Sequence, residues 1–94
     1  MADTITAERF RPHIGKAVLL PDGGKLTLTA VEQRESPAAG APPAFTVLLR
    51  GGPDRIVPEG LHRLTIDGSE SFDLYLIPIH TRSRDHQDYQ IIFN

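Results

Sequence analysis

The sequence predicts an all-β domain: a small antiparallel six-stranded barrel, or a barrel-like sandwich, preceded by one short N-terminal helix. Three observations indicate this fold. Apolar and polar residues alternate in short segments, and glycine, proline and aspartate separate those segments. The length of 94 residues suffices for one core. We therefore expect residues 1–94 to form a single domain whose consecutive strands are antiparallel neighbours.

The N-terminal part carries the signals of a short helix followed by a hairpin. Thr6 can cap a helix over about residues 6–12, and Pro12 keeps that helix short. Residues 17–20 predict a first short strand. The sequence Pro-Asp-Gly-Gly at residues 21–24 suits a type I turn followed by a glycine with positive φ.

Strand periodicity continues through most of the remaining chain. The alternating segments are Lys25 to Val31, Phe45 to Arg50, Leu61 to Ile66, Phe72 to Ile79 and Tyr89 to Phe93. The first of them places Ala30 on the inward face with Leu26 and Leu28, and the apolar residue that follows Ala30 predicts a β-bulge there. The proline- and alanine-rich residues 35–43 predict a flexible, solvated loop. Pro78 predicts a strand end or a sheet edge, and a sheet of this size avoids exposed edges best by closing into a barrel.

Composition excludes several functional classes. Without cysteine the chain has no disulfide, thiolate nucleophile or cysteine-ligated zinc. Its net charge is −2, with ten basic residues scattered among twelve acidic ones, which is not the electrostatic footprint of a nucleic-acid-binding protein. No stretch approaches the ~18 apolar residues of a membrane span, and the first residues lack the pattern of a secretory signal. We expect a cytoplasmic protein, or one incorporated into a secreted or tail-like assembly without its own signal peptide, with neither nucleic acid nor membrane as partner.

Apolar residues in the outward phase of the strands are the main functional candidate. If Phe72 and its alternate neighbours point inward, the residues between them point outward. The resulting surface, here called the outer stripe, consists of Leu48, Tyr75, Ile77, Ile79 and Ile92. An exposed apolar stripe on a small sheet indicates contact with a protein partner or with a second copy of the chain. The alternative is that the N-terminal turn, with Ile5, Phe10 and Ile14, folds over the stripe.

Histidines are a weaker candidate for chemistry. His80 and His86 flank one polar loop, and with Asp88 they could hold a divalent metal. Their spacing matches no established metal motif, so we predict no metal and no cofactor. The alternative function is a small-ligand or metal-binding barrel, with or without hydrolytic activity, whose mouth would be lined by His62, His80 and His86.

A hydrolytic centre would need Ser83, Asp85 and His86 to act together. The nucleophile must be bonded to the base and the base to the acid, and residues adjacent on one loop seldom converge in that way. The glycine pairs Gly23-Gly24 and Gly51-Gly52 both precede predicted strands. Neither pair therefore leads into the helix N-terminus that a phosphate-binding loop requires. We therefore predict no catalytic residue and a non-enzymatic protein.

Several segments together resemble a known family. They are Phe10 to Gly15, Leu26 to Leu28, Phe45 to Gly51, Pro58 to Leu64, Leu74 to Ile79 and Tyr89 to Asn94. The chain is similar over nearly its whole length to small uncharacterised bacterial all-β domains of unknown function, often found beside phage-tail-collar or microcystin-dependent-type proteins. The resemblance implies an accessory role in a tail-like or fibre assembly and assigns no catalytic residue. The expected function is that of an interaction or assembly protein, with the outer stripe as its contact surface and residues 36–43 as a second candidate.

Overall fold

The computed structural model describes residues 6–33, 44–66, 70–80 and 84–93. Within them the strands are β1 (Ala17–Leu19), β2 (Lys25–Gln33), β3 (Phe45–Gly51), β4 (Gly60–Ile66), β5 (Glu70–Ile79) and β6 (Gln87–Phe93). They form a closed antiparallel barrel in the order β1-β2-β3-β6-β5-β4. Two 3-10 turns precede β1, Ala7–Arg9 and Arg11–His13. The predicted all-β barrel with a short N-terminal helical segment is confirmed.

The strands are connected by a tight hairpin and by a crossover. The turn between β1 and β2 forms as predicted: the N–H of Gly23 donates to the carbonyl of Leu20 over 3.1 Å, and Gly23 has a φ of 92°. The expectation that consecutive strands are neighbours is wrong for β3 and β4, so residues 52–59 run from one to the other across one barrel end. We call residues 52–59 the crossing segment. The predicted loop over residues 35–43 and the predicted turn at residues 67–68 lie outside the described residues.

Inward side chains of all the strands fill the barrel. Buried residues alternate with more exposed ones along β4 and β5, as the alternating sequence predicts, whereas in β3 Thr46 is buried along with its neighbours. The largest fully buried side chains are Tyr89, Phe10, Leu28, Leu49, Leu64, Leu76, Val18 and Val47. Each large apolar side chain stabilises the fold by about 1.5–3 kcal/mol on burial. A chain without cysteine therefore relies on this packing.

A β-bulge in β2 changes which residues face inward. The pairing of β2 with β3 shifts register between Leu28 and Ala30. Leu28 is fully buried before the shift, and Val31 packs against the core after it. Ala30 lies opposite Leu48 on the outer face. The expectation that Ala30 points inward is therefore wrong, because the extra residue of the bulge reverses the alternation.

Phe10 closes the barrel end that lies away from the crossing segment. Its ring centroid is 6.0 Å from that of Phe45, 6.1 Å from that of Phe72 and 5.6 Å from that of Phe93. Phe45 begins β3 and Phe93 ends β6, so these rings lie at the same end of the barrel. The guanidinium of Arg9 lies 5.5 Å from the ring centroid of Phe72 and covers the outside of this aromatic cluster.

The N-terminal helical segment differs in detail from the predicted helix. It forms two short 3-10 turns, and the second has proline in its first positions. The side chain of Thr6 makes no capping hydrogen bond, so the predicted cap is wrong. In the part of the chain that the structure describes, no helix is long and apolar enough to cross a membrane.

Pro78 lies where β5 changes its pairing partner. The last pair of β5 with β4 is Leu76 with Gly60, and the following residues pair with β6 instead. Pro78 pairs with Tyr89, and β5 ends at the next residue. The proline thus marks a strand end, which is one of the two positions that its missing N–H predicts.

Candidate interaction surface

The outer stripe lies on one face of three neighbouring strands. Leu48 of β3 pairs with Gln90 of β6, and Gln90 pairs with Ile77 of β5, so these residues form one row across the barrel surface. The other members of the stripe lie two residues further along the same strands, on either side of this row: Ile79, Tyr75 and Ile92. The structure thus brings the five predicted residues onto one surface.

Exposure varies along this surface. Tyr75 is 50% exposed and Ile92 is 44% exposed, whereas Leu48, Ile77 and Ile79 are partly buried. Leu61 of β4, which pairs with Tyr75, is 68% exposed and extends the apolar surface by one strand. Leu61 is not among the residues predicted for the outer stripe. The alternation of β4 indicates its position all the same, because Leu64 and Ile66 point inward and Leu61 is then in the outward phase.

Two pairs of oppositely charged residues lie near the stripe. Nε of Arg50 lies 3.1 Å from a carboxylate oxygen of Asp88, in the row beside Ile79. Nη1 of Arg63 lies 3.4 Å from a carboxylate oxygen of Asp73. Exposed pairs of this kind contribute little to stability. Their consequence here is that these two pairs add no net charge to the border of the apolar surface.

Tyr75 is held in place by the crossing segment. Its hydroxyl donates a hydrogen bond of 2.8 Å to a carboxylate oxygen of Glu59. This hydrogen bond, together with the negative charge of the same carboxylate, raises the pKa of Tyr75 above its ordinary value. The ring therefore presents a fixed apolar surface beside a tethered polar tip.

The N-terminal turn packs elsewhere than on the outer stripe. Phe10 is buried against inward-facing phenylalanines at one barrel end. Ile14 is 45% exposed. Phe10 therefore does not cover the stripe, Ile14 is itself partly exposed, and Ile5 lies outside the described residues.

A second feature is a weak seam between β1 and β4. These strands pair only at Val18 with Ile66 and at Leu19 with Thr65 among the described residues, whereas β4 pairs with β5 along its whole length. Continuing the same register would place Pro21 opposite Arg63, and proline has no N–H to donate. The chain turns away at that point into the β1–β2 hairpin.

A cleft of about 350 Å³ opens in this seam. It is lined by Leu20, Pro21, Asp22, Arg55, Ile56, Val57, Pro58 and His62. Arg55 and Asp22 form an ion pair at its rim. The imidazole Nε2 of His62 lies 2.7 Å from the carbonyl oxygen of Pro58, which keeps the ring against the wall of the cleft. We call this feature the seam cleft.

The predicted histidine candidates are not gathered into one centre by any contact. His62 lies in the seam cleft, while His80 is exposed after the end of β5. Nε2 of His86 is 3.5 Å from a carboxylate oxygen of Asp88. Over residues 6–33, 44–66, 70–80 and 84–93 no group of three or more histidine, aspartate or glutamate side chains is placed to hold a metal ion. Ser83 lies outside those ranges, so the triad it would form with Asp85 and His86 has no described geometry.

Comparison with known proteins gives one finding. A family model described as Domain of unknown function (DUF6916) matches residues 5–93. No curated protein and no solved structure matches the chain.

Proposed function

Since the chain belongs to the family described as Domain of unknown function (DUF6916), a description that assigns no activity, we propose a function from the geometry of the barrel surface. The domain is a non-enzymatic assembly module. It associates with a second copy of itself through the outer stripe and Leu61. The observation that carries this proposal is the continuous apolar surface across β4, β5, β6 and β3, with three large side chains close to or above half exposure.

The size of the surface is compatible with a dimer interface. An interface of standard size takes about 800 Å² from each partner, and apolar patches on monomers commonly measure ~300–600 Å². The accessible surface of the chain is 6209 Å², so a standard interface would cover roughly an eighth of it. The proposed interface spans the outer faces of four of the six strands, with charged residues at its border.

Charge favours a second copy as the occupant. A two-fold interface presents the same patch on both partners. An unbalanced charge near the symmetry axis would therefore face the same charge on the other copy, and like charges that face each other cost several kcal/mol. Here Arg50 pairs with Asp88 and Arg63 pairs with Asp73 within one chain. These two pairs therefore bring no unbalanced charge to a self-interface, and the Glu59 carboxylate beside Tyr75 is one negative charge that the second copy must accommodate.

Gln90 adds polar self-complementarity at the centre of the stripe. It lies between Leu48 and Ile77 and is only partly exposed. A primary amide both donates and accepts hydrogen bonds. Two such amides facing each other across a two-fold axis can satisfy one another, so Gln90 does not oppose burial of its apolar neighbours.

The larger assembly is the part of the proposal that rests on resemblance. The similarity to domains found beside phage-tail-collar or microcystin-dependent-type proteins supports an accessory role in a tail-like or fibre structure. A small module that pairs with itself fits a repeating assembly, because each copy supplies the same patch to its neighbour.

The experiment is a molar-mass measurement by light scattering over a concentration series, with a matched pair of variants. Ile92→Glu places a charge in the stripe, and Ile14→Glu places the same charge on an equally exposed isoleucine outside it; the two side chains are 44% and 45% exposed. We expect the wild type and Ile14→Glu to show a concentration-dependent dimer. Ile92→Glu is expected to raise the dissociation constant at least about tenfold, which corresponds to ~1.4 kcal/mol.

Two outcomes would contradict the proposal. One is a wild-type protein that stays monomeric up to about 1 mM, since a dimer weaker than that has no stable interface. The other is an equal effect of both glutamates. Tyr75→Glu and Ile77→Glu provide a second check, because each should abolish association and leave the monomer folded. If circular dichroism shows that either one unfolds the domain, the stripe belongs to the intramolecular core.

A further inference from the structure

The seam cleft lies between β4 and the crossing segment, beside a stretch of β4 that pairs with β5 alone among the described residues. We propose that a segment of a partner protein pairs with the free edge of β4 and inserts one bulky apolar side chain into the cleft. This inference does not rest on dimerisation through the outer stripe, because no residue that lines the cleft belongs to the stripe; Leu61 alone lies beside both surfaces.

The first argument is the backbone of β4. Its pairing with β1 is limited to Thr65 and Ile66, and within the described ranges no backbone hydrogen bond joins residues 60–63 to the crossing segment or to the β1–β2 turn. Those residues pair with β5 on their other side only. A strand edge of this kind presents N–H and C=O groups that another strand can use. An extended peptide is the ligand whose chemistry matches such an edge.

The second argument is the position of the cleft along that edge. If β1 continued in register, Leu20 to Asp22 would run beside residues 62–64 of β4, and the seam cleft opens between those two stretches. The volume of about 350 Å³ lies at the lower end of ligand-binding pockets, which are ~300–1,000 Å³. A cavity of about 150 Å³ holds a benzene ring, so the cleft has room for one large side chain of an added strand.

The third argument is the lining. Leu20 and Val57 are buried at the floor, and Ile56 is 59% exposed at the mouth. Because the side chain of Ile56 is so exposed beside the cleft, an apolar group that enters the cleft would bury part of it, and that burial favours binding. The apolar lining thus matches an aromatic or branched aliphatic side chain of the peptide.

The charge of the rim selects between ligand classes. Arg55 is paired with Asp22, so the rim has no surplus positive charge for a phosphate or a carboxylate. A peptide backbone is neutral and needs only the hydrogen bonds of the β4 edge. The balanced rim therefore favours a peptide that inserts an uncharged side chain over an anionic small molecule.

The test is an NMR titration of the labelled chain with peptides of one design. The probe is acetyl-Lys-Thr-Val-X-Val-Thr-Lys-amide, with X as Leu, Phe, Tyr or Trp, and with X as Asp for comparison. We expect the apolar peptides to bind with a dissociation constant below about 1 mM, and the Asp peptide at least tenfold more weakly. The amide signals of residues 60–63 and the ring signals of His62 should shift.

Two N-methylated forms of the best probe separate strand pairing from simple apolar binding. One form is methylated at both valines and the other at both threonines, so each blocks the hydrogen bonds of one edge of the peptide. Pairing with β4 uses one edge only, and we expect one form to bind like the parent and the other to lose binding. If both forms bind like the parent, the cleft is an apolar small-ligand pocket and the peptide proposal is wrong. Absence of binding for every apolar probe would also overturn it.

Protein variants complete the test. Ile56→Glu should weaken peptide binding at least tenfold, whereas Ile14→Glu, the same change at another exposed isoleucine, should leave it unchanged. Ile92→Glu should keep peptide binding while losing association, and Ile56→Glu should keep association. Failure at the seam cleft and failure at the outer stripe are therefore distinguishable. Equal peptide binding by Ile56→Glu and Ile14→Glu would contradict the assignment of the cleft.

Discussion

The backbone N–H of Val57 donates a hydrogen bond to the hydroxyl of Tyr89 over 2.9 Å, and both residues are buried. Tyr89 points inward from β6, and Val57 lies in the crossing segment, so this bond fixes the segment to the barrel interior. A buried N–H without a partner is costly, since it has given up its hydrogen bond to water. The bond therefore supports both the closed barrel end and the shape of the seam cleft beside it.

Tyr89→Phe should lower the free energy of unfolding by about 1–3 kcal/mol, because the ring is retained while the N–H of Val57 loses its acceptor. Urea denaturation measures this loss. Tyr75→Phe is the control: it removes a hydroxyl that bonds Glu59 on the exposed surface, and it should leave the free energy of unfolding nearly unchanged. Equal effects of the two substitutions would show that the hydroxyl of Tyr89 contributes nothing to the crossing segment.

Gly51→Ala should destabilise the barrel through overpacking. A Cβ at Gly51 would lie 2.7 Å from Cδ2 of Leu26 and 3.2 Å from Cε1 of Tyr89. Both neighbours are buried, so relief requires movement of core side chains, and the expected cost is about 1–3 kcal/mol. Thermal unfolding measures it. Gly52→Ala is the matched control, since a Cβ there meets nothing within 4 Å; a control as unstable as Gly51→Ala would point to the backbone rather than to packing.

Phe10→Ala should be the most damaging of the single substitutions considered. It removes a fully buried ring that packs on Phe45, Phe72 and Phe93, and such truncations cost about 3–5 kcal/mol. A domain of this size has roughly 5–14 kcal/mol in total. Chemical denaturation should show the loss, while Ile14→Ala, on an exposed isoleucine of the same region, should remain near the wild type. A Phe10→Ala variant of wild-type stability would mean that the barrel end closes without the turn.

The strands were predictable because each buries one face against one interior. Alternation then specifies both the strand and the side that faces inward, as with Leu64 and Ile66 of β4. The bulge was visible as an interruption of that alternation. The residue at which the phase changes was not predictable, since the shift at Ala30 depends on its pairing with β3.

The candidate site was predictable only in part, and the limit is topological. Members of the outer stripe share an outward phase, so they could be selected from the sequence. The seam cleft could not be found in this way, because it depends on β3 and β4 not being neighbours and on where β1 stops pairing. The packing of Phe10 is also a tertiary contact between distant segments, which no local pattern specifies.

The contact between Tyr75 and Glu59 predicts a pH dependence. Because the neutral hydroxyl donates to the carboxylate, the pKa of Tyr75 is raised in the folded state above its unfolded value of about 10. The stabilisation is therefore fully present below the unfolded pKa and is lost as the pH rises through the folded pKa. Glu59→Gln should lower the pKa of Tyr75 towards about 10, as followed by the ¹³C shift of its Cζ atom. Asp54→Asn removes another carboxylate of the crossing segment and should leave that pKa unchanged. If Glu59→Gln leaves it unchanged as well, the hydrogen bond to Glu59 is not what raises it.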